Sequence, residues 1–140
     1  MDHDWATLAL AVTTGVHLGF QLVVSGLVYP TLAEVPAASW REQHDRHSSR
    51  ITPLVVGVYG TLAPVCGWVL AAGPDGLEIA AVAACALAGG VTAAAAAPAH
   101  RRLGRRHDPA VLRRLLRADR LRLLAAVVAL VCAVAAAGRS

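Results

Sequence analysis

Histidine carries most of the chemistry this chain offers. His44 and His47 lie three residues apart, so on a helix both imidazoles share one face, a separation that suits chelation of a single transition metal. His17 falls in the middle of a long apolar run, with Gln21 one turn later on the same face. An ionisable residue in such a run is a functional candidate because burying it unpaired is costly. The ordinary alternative is a neutral imidazole bonded to a carbonyl or a hydroxyl. His100 follows Pro98 at the end of another apolar run, where it either holds a ligand or faces lipid headgroups beside Arg101 and Arg102. Asp119 interrupts a strongly basic stretch next to Arg120 and Arg122, as a salt-bridge partner of one of them or as a carboxylate supporting a ligand set. Imidazole-rich, thiolate-free sets suit Cu and non-haem Fe, and also Zn. His17, His44, His47 and His100 are therefore the candidate metal ligands, with Gln21, Asp119, Arg50 and Tyr59 as candidates to orient a ligand or substrate. His3, near the start of the chain, and His107, in an Arg-rich loop, are expected to stand apart.

The elements that must position these residues are membrane helices. The hydrophobic fraction is 56% and the mean hydropathy +0.55, too high for a soluble domain of 140 residues to hide in its interior. Apolar runs extend over about 5–30, 51–72, 77–97 and 121–137, each near the roughly 20 residues that cross a ~30 Å hydrocarbon core as a helix. Backbone groups in lipid must bond internally, so an all-α, four-span bundle forming a single domain is expected. The first run lacks a basic lead and is too long for a cleavable signal, which predicts a retained helix.

All 13 basic residues are arginine. Arg41, Arg46 and Arg50 lie between the first and second runs. Nine more lie between the third and fourth, leaving only Arg139 elsewhere. In an up-and-down chain those two connections share a side, and the positive excess predicts that it is cytoplasmic, in a bacterial inner membrane with both termini outside. The same arginines would meet anionic headgroups at about 1 kcal/mol each, so the basic pI of 9.6 does not call for nucleic acid. Cys66, Cys85 and Cys132 each fall in an apolar run with no Cys-x-x-Cys pair, which excludes a disulfide framework or thiolate site as the reading of choice. No P-loop, Rossmann glycine fingerprint, nucleophile elbow or His-Glu-x-x-His is present, so no nucleotide cofactor is expected.

Local signals refine this plan. Thr13, Thr14 and Ser25 can bond back to helix carbonyls. Ser39 and Glu42 have capping-box spacing, predicting a helix that carries His44 and His47 and runs through Pro53 into the second span. Ala72 to Gly76 reads as a tight turn. The third span is rich in small residues, including Gly89, Gly90 and Ala93 to Ala97. It is expected to sit buried among its neighbours or to form an oligomer contact. Pro98 closes it, and Asp108-Pro109 opens an amphipathic helix, with Val111, Leu112, Leu115 and Leu116 on one face, that leads into the fourth span. Two registers remain open between the first two helices. A tight turn over 33–38 would set Gln21 against His47 and bring the four histidines around one pocket. Aligned apolar runs would instead set His17 level with about Thr61, half a membrane away from His44 and His47.

Several short motifs share this layout: Tyr29-Pro30; Trp40 with His44, His47 and Arg50; Pro98-Ala-His100 with Leu103-Gly104; and Leu115-Leu116 with Asp119, Arg120 and Arg122. With them the chain resembles a group of small four-helix bacterial membrane proteins classed with the anthrone oxygenases. Relatives in that group often carry Asn-Trp and then Arg-Thr before the fourth span, whereas this chain has Ala118-Asp119-Arg120-Leu121. The resemblance implies a four-helix bundle that oxidises a small hydrophobic or aromatic metabolite. A membrane-embedded, histidine-ligated oxidoreductase is accordingly the leading expectation. A non-catalytic assembly or small-molecule-binding protein, oligomerising through the third helix, is the second. A proton- or ion-conducting oligomer lined by His17 is the third.

Overall fold

A computed structural model describes residues 2–139. Four helices, each long and apolar enough to cross a membrane, make up the bundle: α1 (His3–Ala33), α2 (Trp40–Ala71), α3 (Gly76–Leu103) and α4 (Pro109–Ala137). Contacts between them fix the topology. Thr7 and Tyr29 of α1 meet Glu78 and His100 of α3, so α1 and α3 run parallel. Gln21 and Ser25 meet Asp119 while Gly15 faces Leu130, so α4 is antiparallel to α1. The chain therefore goes up and down, with both Arg-rich connections at one end. At ~1.5 Å per residue, helices of 28–32 residues are about 42–48 Å long, enough to carry their polar ends through the headgroup layer.

Small residues let the backbones approach. Ala81, Ala84, Ala88, Ala125, Ala126, Ala129 and Ala133 are all buried, where α3 packs along α4. The outer surface is apolar, with Leu27, Val56, Leu124 and Val131 more than 60% exposed, as lipid contact requires. The Ala93–Ala97 run departs from expectation. Only Ala96 within it is buried, and Ala93, Ala94 and Ala95 face outward, because the face turned to α4 is set by Ala81, Ala84 and Ala88 further back.

Proline shapes the helices without ending them. Pro98 does not close α3, which continues to Leu103. The missing N–H and the ring of a proline disrupt the helix one turn back. Here the chain answers by widening that turn: π-helical segments occupy Val24–Val28, just before Pro30, and Thr92–Ala96, just before Pro98. In α2 the helix runs through Pro53 and Pro64, with Thr52 and Thr61 hydroxyls bonded to the Ser48 and Gly57 carbonyls nearby.

The capping box is not at Ser39. The Ser39 hydroxyl donates to the Pro36 carbonyl, makes no cap bond, and Glu42 pairs with Arg46 instead. The box forms at the far end, where Asp75 accepts from the Leu77 and Glu78 amides and Glu78 accepts from the Asp75 amide. Gly73, at φ +81°, supplies the left-handed residue this turn needs. Glu78 is 1% exposed and accepts a hydrogen bond from Thr7 at 2.5 Å, with His3 3.7 Å away. Asp75 also pairs with Arg139, so three segments are tied together at this end.

Two outcomes follow from this end of the bundle. Thr7→Val and Glu78→Ala should each destabilise the protein by about 1–3 kcal/mol, and the pair should fall well short of additive because they share one bond; thermal unfolding of the single and double variants in detergent checks this, and full additivity would break the assignment. The Glu78 amide, then the Leu77 amide and Arg139, hold the Asp75 carboxyl below the usual carboxylate range. Its contribution is therefore present above an unfolded pKa of about 3.9 and lost as pH falls through the lower folded value. Asp75→Asn should flatten the acid limb of a stability–pH curve.

Candidate histidine-lined binding site

A cavity of about 450 Å³ opens at the Arg-rich end between α1, α2, α3 and α4, within the size range of small-molecule sites. Its polar end is formed by His44, His47, His100, Tyr29 and Arg122, and its apolar walls include Phe20, Val24, Ile51, Val55 and Ala96. Both π-turns touch it, through Val24 on one side and Thr92 and Ala96 on the other. The extra residue in each turn offsets the helix face, so the backbone above and below the cavity does not present one continuous stripe.

Each histidine is placed by identifiable neighbours. The Trp40 indole N–H donates to the Leu103 carbonyl at 2.8 Å, pinning the start of α2 to the end of α3. Trp40 stacks on His44, with ring centroids 5.5 Å apart, and on its other contact packs against His107 at 4.6 Å. His107, expected to stand apart in its loop, is therefore part of the support for this wall. Gly104 lies on the other side of His44, where an added Cβ would come within 3.7 Å of the ring. The Tyr29 hydroxyl lies 3.2 Å from His100 Nε2, and His100 Nδ1 lies 3.4 Å from His44 Nε2. The three imidazoles form a triangle with centroids 5.5, 5.6 and 6.4 Å apart. His44 Nδ1 and His47 Nε2 are buried without a hydrogen-bond partner.

This triangle can be compared with a metal site. Three imidazoles bound tetrahedrally at ~2.1 Å would hold their ring centroids roughly 5 Å apart and their ligating nitrogens about 3.4 Å apart. The His44–His100 pair already has that nitrogen separation, whereas the His44–His47 edge is too open. Among the described residues, no group of three or more His, Cys, Asp or Glu side chains is drawn together closely enough to hold an ion. Imidazole donors with orphaned nitrogens are of the kind transition metals take, while the open His44–His47 edge does not enclose an ion.

His17 is set apart from this group. Its ring packs on Tyr59 with centroids 5.3 Å apart, close to the register in which the apolar runs align. Tyr59 is 12 residues beyond His47, about 18 Å along the helix. His17 is 0% exposed, and neither ring nitrogen has a hydrogen-bond partner. Tyr59 reaches Thr92 at 3.0 Å and lies near Gly89. Arg50 is exposed and lines a lateral groove with Leu27, Arg46 and His47 rather than the cavity.

Behind the polar wall lies a buried ion pair. Asp119, 3% exposed, accepts from Gln21 Nε2 at 2.5 Å and from the Ser25 hydroxyl at 2.6 Å. Ser25 thus bonds across to α4 rather than back to its own helix, as Thr13 and Thr14 do. The basic partner is Arg122, at 3.8 Å, and not Arg120, which faces outward. Arg122 is itself 3% exposed, and it lines the cavity. Tyr29 and Arg122 are cavity residues that composition alone does not single out. A tyrosine at a span boundary reads as an interfacial anchor, and Arg122 is one of nine arginines in its connection. The helical spacing of Asp119 and Arg122 (i, i+3) was the available signal. A contact between the Cys66 and Cys85 thiols was equally hidden, since it joins α2 to α3.

Arg122→Gln should cost about 3–5 kcal/mol by stranding the Asp119 charge, and Asp119→Asn in the same chain should restore most of that loss. Thermal unfolding of both variants in detergent checks this, and a double variant no more stable than the single one would contradict it.

Comparison of the chain with protein-family models, with curated proteins and with solved structures returns no match.

Proposed function

We propose that the protein is a membrane-embedded oxidoreductase that binds a small hydrophobic metabolite in the His44–His47–His100 cavity and uses a transition metal held by those three imidazoles. The observation that carries this reading is the convergence of three buried or half-buried imidazoles on the polar end of an apolar cavity. Cu or non-haem Fe suits such a set, with Zn as the redox-inactive alternative, and a bound metal would supply the redox or Lewis-acid chemistry. The chain's own residues do the rest. Tyr29 bonds His100 Nε2, which turns Nδ1 toward His44 Nε2, 3.4 Å away. Trp40 stacks on the His44 ring and holds it in place. The apolar walls accept the body of a lipophilic substrate entering from the bilayer, and they exclude water around the polar end.

In this reading the Arg-rich end faces the cytoplasm of a bacterial cell. The resemblance to the anthrone-oxygenase group, which rests on the motifs alone, points to the same substrate class. His17 lies outside the site and is not a ligand.

A second reading uses the same cavity without a metal. It is favoured by the open His44–His47 edge, which leaves ring nitrogens available to hydrogen-bond a ligand directly. The protein would then bind a small molecule without transforming it.

Elemental analysis of detergent-purified protein, after equilibration with each metal and removal of excess, separates the two. Near one equivalent of Cu or Fe is expected in wild type and in His17→Ala, with loss in His44→Ala, His47→Ala and His100→Ala. A wild type that retains none of these metals would overturn the metal reading and leave the binding protein.

A further inference from the structure

The cavity has a charge that the histidine chemistry does not use. Arg122 lines it, is 3% exposed, and its Nε has no hydrogen-bond partner. Its neighbours leave donors over: Asp119, which accepts from Gln21 and Ser25, approaches it at 3.8 Å, longer than a hydrogen bond, and the Tyr29 hydroxyl is its other polar neighbour. A guanidinium carries five N–H donors in a rigid fork, so a buried one with donors to spare sits ready for a planar, two-oxygen acceptor.

Two guanidiniums, Arg101 and Arg122, line the cavity against one carboxylate, Asp45. Arg101 and Asp45 are both exposed and offset each other, which leaves Arg122, backed by Asp119, as the charge on the inner wall. The polarity of the cavity also runs along the membrane normal. His44 and His47 lie near the start of α2, at the Arg-rich end, while Ile51 and Val55 lie further along the same helix toward the bilayer centre. A molecule with an anionic head and an apolar tail lies in one leaflet in that same orientation.

We infer that the cavity recognises a carboxylate-headed lipophile, a fatty acid or an aromatic acid, with its carboxylate paired to Arg122 and its apolar body between α1, α2 and α3. The inference rests on the cavity being a ligand site, as proposed above, and is independent of whether a metal is bound. Arg122 is a specificity determinant here, and the imidazoles surround the head group.

The test uses metal-free protein in phosphatidylcholine nanodiscs, with dodecanoate and dodecanol titrated calorimetrically at neutral pH against empty discs. Wild type should bind dodecanoate roughly tenfold or more tighter than dodecanol. Asp119→Asn/Arg122→Gln, in which the ion pair is neutralised as a unit to keep the bundle folded, should close that gap while retaining dodecanol. Equal binding of the two ligands by wild type would overturn carboxylate recognition and leave the cavity as a ligand site. A preference that survives in the double variant would overturn the role of Arg122. Binding of neither ligand by a wild type that still takes up metal at its histidines would sink this inference and not the metal site.

Discussion

Asp119 is a carboxylate held between α1 and α4 where water does not reach it. Leaving a charge there unpaired would cost several kcal/mol, so the surrounding chain is arranged around it. Gln21 and Ser25 each give it a donor from successive turns of α1, and Arg122 approaches from its own helix. These bonds fix the rotation of α1 against α4. With α1 fixed, Phe20, Val24 and Tyr29 face the cavity, and Tyr29 meets His100. Arg122 in turn carries the electrostatics of this hidden pair into the cavity wall. The polar end of the site is thus a consequence of satisfying one buried carboxylate.

The two ends of the bundle solve different problems. At the end away from the arginines, Glu78, Thr7, Asp75 and Arg139 lock helix termini and turn together, and none of these residues lines the cavity. At the Arg-rich end the helices separate enough to leave a cavity, lined in part by π-turns ahead of Pro30 and Pro98. Prolines that an α-helix tolerates poorly are used here to displace the helix face beside a pocket. Stability is concentrated at one end and ligand space at the other.

Much of this was legible in the sequence, for stated reasons. Hydropathy and the confinement of arginine to alternate connections specify four spans and their alternation, because lipid imposes both. The His44–His47 spacing and the position of His100 after Pro98 mark three residues that line one cavity, because helical geometry converts spacing into a shared face. What lay beyond the sequence was register. Whether His17 joins the other histidines depends on how α2 slides along α1, and the connection between Ala33 and Trp40 permits more than one answer. The ring of Tyr59 packs on His17 while its hydroxyl reaches Thr92, which sets His17 level with a point 12 residues along α2 from His47. Ser39 and Asp75 both stand three residues before a glutamate, the spacing of a capping box. Only Asp75 has the extended backbone that lets its side chain reach the following amides, whereas Ser39 does not.

The central claim is that His44, His47 and His100 form one site from which His17 is excluded. Cysteine pairs introduced into a variant lacking Cys66, Cys85 and Cys132, and treated in membranes with a short bifunctional thiosulfonate reagent, test it directly. The account predicts rapid cross-linking of His44→Cys with His100→Cys, read as helix-to-helix joining after proteolysis between α2 and α3, and none of His17→Cys with His47→Cys. Cross-linking of the second pair, or failure of the first, would contradict it.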